Sequence, residues 1–221
     1  MLILASASPR RRELLMQAGY RFEVQAPSLS EVSKPGDDGI RLATRLAREK
    51  AEAVFASRRG GRRPGEPVVS QVPPPVMDPI LVLGADTVVV CDGELLGKPS
   101  GPEDAARMLR LLSGRTHQVI TGVAVAAQAG SIATVEVAAE LTHVTMQTLS
   151  ASEISTYIAT GEPMDKAGAY AIQGYAGRWI PRIQGCYFNV VGLPLALVSS
   201  LLEGAQNRLV QAAPEAVFSR S

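Results

Sequence analysis

Hydroxyl and guanidinium side chains collect near the beginning of the chain, where a short apolar run is followed by Ser6, Ser8, Pro9, Arg10 and Arg11. Ser8 is suited to cap a helix and Pro9 to be its first residue, so the arginines are predicted on the first helical turn. Cations at that position oppose the helix dipole, and a bound anion would neutralise them. Serine hydroxyls, unpaired backbone N–H groups and guanidinium groups together are typical of a polyphosphate-binding site. The alternative is a basic helix start that water solvates.

One carboxylate, Asp86, lies within an apolar stretch, in the motif GADT at residues 84–87. Burying a carboxylate among apolar side chains is unfavourable unless its charge is used. Because ligands bind at strand ends in open α/β sheets, we expect Asp86 to follow a strand over residues 80–83. It would act there as a metal ligand, a general base or both. The alternative is that Asp86 caps a turn through nearby N–H groups.

A glycine-dense loop over residues 161–177 holds a third group of polar side chains. Asp165 and Lys166 offer opposite charges, and the Gln173 amide can form paired hydrogen bonds with the edge of a base. The small residues between them would let a ligand approach the backbone closely. Polar loops of this kind serve function more often than packing, so this loop is a candidate ligand site.

Strands and helices alternate along the chain and must bring these three groups together. The predicted strands cover residues 2–5, 21–25, 80–83, 88–91, 117–127 and 132–147, with a short one near 183. The predicted helices cover residues 9–18, 39–55, 102–112, 152–160 and 193–202. The pattern indicates an α/β fold in which the two long β-rich runs, 117–127 and 132–147, form an antiparallel pair.

Length predicts a single α/β domain over residues 1–204, long enough to bury a full core and to carry a smaller second lobe. Arginine, glycine and proline crowd residues 57–79, which favours a surface insertion there. Residues 205–221 are expected to form a loosely ordered tail.

Net charge and cysteine content indicate which classes of ligand and which cellular compartment fit this sequence. The net charge is +1, so no overall field favours stable binding to nucleic acid or to an anionic membrane. Cys91 and Cys186 lack metal-ligand spacing and are predicted to be free thiols in a reducing compartment. No stretch has the length of a membrane span or the pattern of a secretory signal, so we expect a cytoplasmic protein. His117 and His143 are expected to have structural roles.

Seven motifs occur in order along residues 2–203 and resemble those of the Maf family of nucleoside triphosphate pyrophosphatases. They are SASPRR (6–11), LAREKA (46–51), GADTVV (84–89), GKP (97–99), THQVITG (116–122), DKAGAY (165–170) and NVVGLP (189–194). The resemblance implies an elongated mixed β-sheet with flanking helices and a central cleft, a fold shared with the inosine triphosphate pyrophosphatases. It also implies hydrolysis of a nucleoside triphosphate between the α and β phosphates, with release of pyrophosphate and a requirement for Mg²⁺ or Mn²⁺.

The motif AYAIQG at residues 169–174 is similar to that of the dTTP/UTP-directed members of the family. The members directed at 7-methyl-GTP carry a Phe-x-Ser-Glu type of sequence there, which this chain lacks. Arg10, Thr87 and Gln173 fall on positions that the family associates with substrate choice.

The resemblance also assigns expected roles to the polar residues. Asp86 matches the catalytic carboxylate, and it would bind the metal or deprotonate the attacking water, with Glu31 as the second carboxylate. Lys98 is expected to assist catalysis and to hold phosphate. The residues expected to bind substrate are Ser6, Ser8, Arg10, Arg11, Lys50, Thr87, Asp165, Lys166 and Gln173.

The expected partner is therefore a small nucleoside triphosphate, in a homodimeric enzyme that cleans the nucleotide pool. Two alternatives stay open. One is a nucleotide-binding regulator of septum formation with little turnover, and the other is a pyrophosphatase directed at 7-methyl-GTP. A sequence-specific DNA-binding protein is poorly supported, because a near-neutral chain lacks the broad positive face that DNA binding requires.

Overall fold

A mixed seven-stranded β-sheet forms the centre of the molecule, and helices cover both of its faces. The computed structural model describes residues 1–59, 79–129 and 132–212. The strands are β1 (Leu2–Ala5), β2 (Glu23–Val24), β3 (Ile80–Cys91), β4 (Glu94–Leu96), β5 (Thr116–Ala129), β6 (Ile132–Thr145) and β7 (Arg182–Gln184). The helices are α1 (Pro9–Gln17), α2 (Gly39–Arg59), α3 (Pro102–Leu112), α4 (Ala151–Ala159), α5 (Tyr187–Val191) and α6 (Leu195–Ala212). Short 3₁₀ helices cover Glu162–Asp165, Ala167–Ala169 and Tyr175–Trp179.

The apolar side chains of the central strands alternate between the two faces of the sheet and build two core layers. Leu4 and Leu83 point to one face, where they pack in a cluster with side chains of α1 and α6. Ile3 and Val82 point to the other face and pack in a cluster with α2. A third cluster, centred on Trp179, packs α3 and α4 against the later part of the sheet.

Along one edge of β3, the neighbouring strand changes from β1 to β4, and this change leaves a gap in the sheet. β5 pairs antiparallel with nearly the whole length of β3. On the opposite edge, β1 pairs in parallel only as far as Gly84, and β4 pairs antiparallel only from Val89 onwards. Within the described residues, no strand pairs with residues 85–88 on that edge. Asp86 and Thr87 therefore lie beside a gap in the sheet.

The mixed sheet with flanking helices confirms the expected fold class. The predicted helices over 9–18, 39–55 and 102–112 correspond to α1, α2 and α3, and the predicted antiparallel pair corresponds to β5 and β6. Ser8 caps α1 as expected. Both cysteines are free, with Cys91 buried and Cys186 partly exposed. Among the described residues, every helix is too short or too polar to span a bilayer.

Three features of the elements differ from the prediction. Asp86 lies in the middle of β3 rather than after a strand, because pairing with β5 continues through the GADT motif. α5 was not predicted, and α6 continues past residue 204 because Ala205 and Leu209 are buried in the cluster that α6 forms with the sheet. The tail predicted from residue 205 is thus helical up to Ala212. Its remainder, 213–221, and most of the predicted insertion, 60–78, lie outside the described residues.

Candidate active site

A cavity of about 570 Å³ lies at the gap where β1 and β4 leave the middle of β3 unpaired. Its walls come from the start of α1, from α2, from the middle of β3 and from the loop that follows α4. All of the residues that the sequence predicted for the site line it: Ser6, Ser8, Arg10, Arg11, Glu31, Lys50, Asp86, Thr87, Lys98, Asp165, Lys166 and Gln173. The fold therefore brings together residues from distant parts of the chain, while their individual roles stay predictions.

The start of α1 supplies hydroxyl groups and an unpaired cation. Ser8 Oγ accepts a hydrogen bond from the Arg11 N–H at 3.5 Å, and Ser6 Oγ accepts one from the Ser8 N–H at 3.2 Å. Because both serine oxygens act as acceptors, each hydroxyl hydrogen can be donated to an anion. Arg10 is half-buried and forms no hydrogen bond or ion pair with another residue in the described part of the chain. Its charge is therefore available to a ligand.

Arg11 is buried and held on three sides. Its Nε donates to the Gly192 carbonyl at 2.8 Å, its Nη1 to Ser6 Oγ at 3.3 Å and its Nη2 to Thr87 Oγ1 at 2.9 Å. Burial lowers the pKa of Arg11, and the nearby Asp86 carboxylate opposes this change. Since an arginine keeps its proton in proteins, Arg11 is a fixed cation in the cavity wall.

Lys50 lies between the two carboxylates of the cavity. Its Nζ is 2.5 Å from Asp86 Oδ1 and 2.6 Å from Glu31 Oε1, and the side chains of Lys50 and Asp86 are each only 9% exposed. Lys98 approaches the other oxygen of Glu31 at 3.4 Å. Burial favours the neutral form of Glu31, but Lys50 and Lys98 outweigh it and lower the pKa of Glu31. Both carboxylates therefore lie against ammonium groups.

Two glycines in the sheet allow α2 to place Lys50 this close to Asp86. A Cβ atom at Gly84 would lie 2.2 Å from the carbonyl oxygen of Ala47, and one at Gly122 would lie 2.2 Å from that of Ala43. These contacts are with helix backbone, which cannot rotate away as a side chain can. The close approach of α2 to β3 and β5 thus depends on the absence of side chains at these two positions.

The carboxylates of Asp86 and Glu31 fit a hydrated magnesium or manganese ion. Within the described ranges, no group of three or more His, Cys, Asp and Glu side chains is placed to hold a metal. Mg²⁺ needs only one or two carboxylates when water and substrate phosphates complete its coordination. The second oxygen of Asp86, Oδ2, takes no part in the contact with Lys50 and could bind such an ion.

The loop after α4 forms another part of the cavity wall. Lys166 is ion-paired with Asp165 and donates to the Glu162 carbonyl at 3.0 Å. Burial favours neutral Asp165, but the pairing with Lys166 outweighs it and lowers the pKa of Asp165. The exposed Gln173 amide forms no hydrogen bond with another described residue and can bind a ligand.

Two groups of buried polar residues behind the cavity wall were not predicted as part of the site. His117 Nε2 lies 2.6 Å from the hydroxyl of Tyr170, whose side chain lines the cavity, and burial lowers the pKa of His117 to about 4. Thr121 and Asn189 are fully buried beside Thr87. His117, Thr121 and Asn189 lie in motifs quoted for the family resemblance, but their residue types did not indicate that they are neighbours of the cavity.

Comparison with known proteins agrees with this site. A family model described as Maf-like protein matches residues 1–205. A protein of Koribacter versatilis named dTTP/UTP pyrophosphatase is 48% identical over 204 residues, which are 92% of this chain and 94% of that protein. Proteins with the same name from Geobacter sulfurreducens and Salmonella typhimurium are 49% and 46% identical, over 89% and 91% of this chain and 92% and 91% of their own lengths. With the match running through every motif that lines the cavity, this chain belongs to the Maf family.

Proposed function

We propose that this chain hydrolyses nucleoside triphosphates, dTTP and UTP foremost, to a nucleoside monophosphate and pyrophosphate. The observation that carries the proposal is one cavity lined by three carboxylates and five cationic side chains, of which Arg10, Arg11, Lys50 and Lys98 are the cations expected to hold phosphate. A triphosphate is the ligand whose charge and length match such a set. The curated relatives that cover most of this chain carry the name dTTP/UTP pyrophosphatase, which supports the choice of pyrimidine nucleotides.

The cations hold the phosphate chain and stabilise the charge that develops on the leaving pyrophosphate. Arg11 is already fixed by its hydrogen bonds, so it binds without losing side-chain freedom. Arg10 has no competing partner among the described residues, and Lys98 is 60% exposed at the cavity rim. These two side chains can follow the phosphates as they enter and leave.

Asp86 is the residue best placed to act on the attacking water. It is buried at the gap in the sheet, and Lys50 keeps its carboxylate in one position. Asp86 accepts the proton of the water or, with Glu31, holds Mg²⁺ or Mn²⁺. Such an ion would neutralise phosphate charge and acidify a bound water.

Gln173 reads the base. Its amide offers a donor and an acceptor side by side, which match the N3–H and O4 of thymine and uracil. Gln173 lies in the loop that carries Asp165 and Lys166, and all three residues line the cavity. A homodimeric assembly stays a prediction drawn from the family resemblance, and a cytoplasmic location stays a prediction drawn from the sequence.

The test is pyrophosphate release from a panel of nucleotides by the wild type and by Asp86→Asn. The panel contains dTTP, UTP, CTP, 7-methyl-GTP and purine triphosphates, each with Mg²⁺ or Mn²⁺. We expect dTTP and UTP to be preferred, and we expect Asp86→Asn to lower kcat by on the order of 10²-fold or more while pyrophosphate still binds. The matched control is Asp92→Asn, a substitution in the exposed turn between β3 and β4, which should leave kcat unchanged.

The other outcomes are equally informative. Wild-type turnover by Asp86→Asn would remove Asp86 from the mechanism. Preference for 7-methyl-GTP would keep the reaction but overturn the role of Gln173. Tight binding without release of pyrophosphate from any nucleotide would favour the nucleotide-binding regulator.

A further inference from the structure

A closed ring of hydrogen bonds connects Arg11 to the sheet and to α5. Arg11 Nη2 contacts Thr87 Oγ1 at 2.9 Å, Thr87 Oγ1 contacts Thr121 Oγ1 at 2.9 Å, and Thr121 Oγ1 contacts the Asn189 carbonyl at 3.1 Å. Three residues further along the chain, the Gly192 carbonyl accepts from Arg11 Nε at 2.8 Å and closes the ring. We call this set, Arg11, Thr87, Thr121, Asn189 and Gly192, the Arg11 ring.

The hydrogen bonds of the Arg11 ring run from a guanidinium group, which can only donate, to the Asn189 carbonyl, which can only accept. These two groups determine the direction of every hydrogen bond between them. A backbone carbonyl can only accept, so the single hydroxyl hydrogen of Thr121 goes to Asn189. Thr121 Oγ1 must then accept from Thr87, whose own hydrogen is thereby used. Thr87 Oγ1 in turn accepts from Arg11, because a guanidinium group can only donate.

The chemistry of α5 supports this direction. Asn189 is among the last four residues of α5, whose carbonyl groups lack a donor within the helix. Thr121 and Asn189 are both completely buried, so water cannot replace the bond between them. A buried carbonyl without a donor is unfavourable, and Thr121 supplies that donor.

We propose that Thr121 is a positioning residue for phosphate binding, which it serves by directing Thr87 to hold Arg11. Thr87, predicted to bind substrate, has no hydrogen left to donate to a phosphate oxygen. Its contribution is instead to accept from one N–H of Arg11 Nη2, so that the remaining N–H groups of the guanidinium are presented in one orientation. This proposal deepens the proposed function and rests on it for the identity of the anion.

Gly192 shows how closely the Arg11 ring is assembled. Its φ of +123° is a conformation that other residues rarely adopt. A Cβ atom there would lie 3.5 Å from Thr87 Oγ1 and 3.8 Å from Arg11 Nε. These are ordinary contact distances, so the backbone conformation rather than a lack of space favours glycine beside Arg11.

The test compares two buried threonines, of which only Thr121 contacts Thr87. Thr142, like Thr121, is completely buried and hydrogen-bonded to the segment at α5, donating to the Cys186 carbonyl at 3.1 Å. Thr142 Oγ1 accepts from the side-chain amide of Asn189 at 2.9 Å, but it contacts neither the Asn189 carbonyl nor Thr87 and Arg11 among the described residues. Thr121→Val and Thr142→Val should therefore both lower the midpoint of unfolding, but only Thr121→Val should alter phosphate binding.

The measurement is the dissociation constant of inorganic pyrophosphate with Mg²⁺, determined by titration calorimetry for the folded variants. We expect Thr121→Val to raise it about tenfold, as loss of one buried hydrogen bond does, and Thr121→Ser and Thr142→Val to change it less than twofold. Equal weakening by Thr121→Val and Thr142→Val, or none by Thr121→Val, would overturn the proposal. Wild type that binds pyrophosphate but hydrolyses no nucleotide would instead overturn the proposed function alone.

Discussion

Lys50 contacts two carboxylates of the cavity at once. One ammonium group lies 2.5 Å from Asp86 and 2.6 Å from Glu31, so neither carboxylate is an isolated buried charge. Removing the lysine would leave Asp86 buried without its partner, which is far less favourable than the original pair. The same contact uses Oδ1 of Asp86 and leaves Oδ2 as the oxygen that a ligand could approach.

The pH dependence of stability can be predicted from His117. Burial lowers the pKa of His117 to about 4, whereas the pKa of histidine in an unfolded chain is about 6.5. Between these two pH values the unfolded chain binds a proton at His117 that the folded chain does not bind. The free energy of unfolding is therefore unaffected by protonation of His117 above about pH 6.5, and it decreases as the pH falls from there through about 4. We expect this loss to reach about 3 kcal/mol.

The variant His117→Gln checks this expectation, because a glutamine amide can donate to or accept from the Tyr170 hydroxyl but does not titrate. The free energy of urea-induced unfolding is measured for both proteins from pH 7 to pH 4. The wild type should lose about 3 kcal/mol more than the variant over that range. Parallel curves for the two proteins would show that another group carries the pH dependence.

Most of the polar residues that line the cavity could be predicted from the sequence because they belong to short motifs whose residue types carry chemistry. Ser8, Arg11, Asp86 and Gln173 are examples, and all of them line the cavity. Thr121 could not be recognised in this way. Its value depends on lying opposite Thr87 in the pairing of β5 with β3, and register is decided by tertiary packing rather than by local sequence.

At the scale of elements, β3 shows why an active site can lie in mid-strand. The GADT motif interrupts an apolar run and so resembles the end of a strand, which is what the sequence predicted. In the fold, β5 continues the pairing on one edge while β1 and β4 separate on the other. The gap depends on where two neighbouring strands end, and no property of β3 itself could reveal it.

The packing of α2 gives a prediction for Gly122→Ala. A methyl group there would meet the Ala43 carbonyl at 2.2 Å, so α2 must move away from the sheet and take Lys50 with it. We expect the free energy of unfolding to fall by about 1–3 kcal/mol and kcat to fall as well. Chemical denaturation and pyrophosphate release measure the two effects.

The control for this substitution is Gly97→Ala, because a Cβ atom at Gly97 would have no heavy atom within 4 Å. Its stability should stay within about 0.5 kcal/mol of the wild type. A Gly122→Ala variant with wild-type stability and activity would mean that α2 does not need its close approach to position Lys50.

At the scale of the whole molecule, some strands of the sheet pair with strands near them in the chain, and others pair with strands far away in the chain. β3, β5 and β6 form an antiparallel succession, whereas β1 joins the sheet by pairing in parallel with β3, Leu2 opposite Leu81. Contacts that close a long loop are entropically costly and tend to form late in folding. We therefore expect β5 to be structured in the folding transition state and β1 to be unstructured there.

Two core substitutions compare these strands. Leu4 of β1 and Val125 of β5 are both completely buried in the same layer of the core. We expect Val125→Ala to slow folding and Leu4→Ala to accelerate unfolding with little effect on the folding rate. Stopped-flow measurements over a range of urea concentrations give both rates. Equal slowing of folding by the two variants would place β1 in the transition state as well.

The parallel pairing of β1 with β3 also has a consequence for synthesis on the ribosome. The strand that leads into Ser6 and Arg11 is translated about 80 residues before the strand that carries Asp86 and Thr87. At about 5–20 residues per second, this apolar strand waits for roughly 4–16 seconds without its principal partner. During that interval the apolar strand has no β3 to pair with, and the cavity is completed only when β3 emerges.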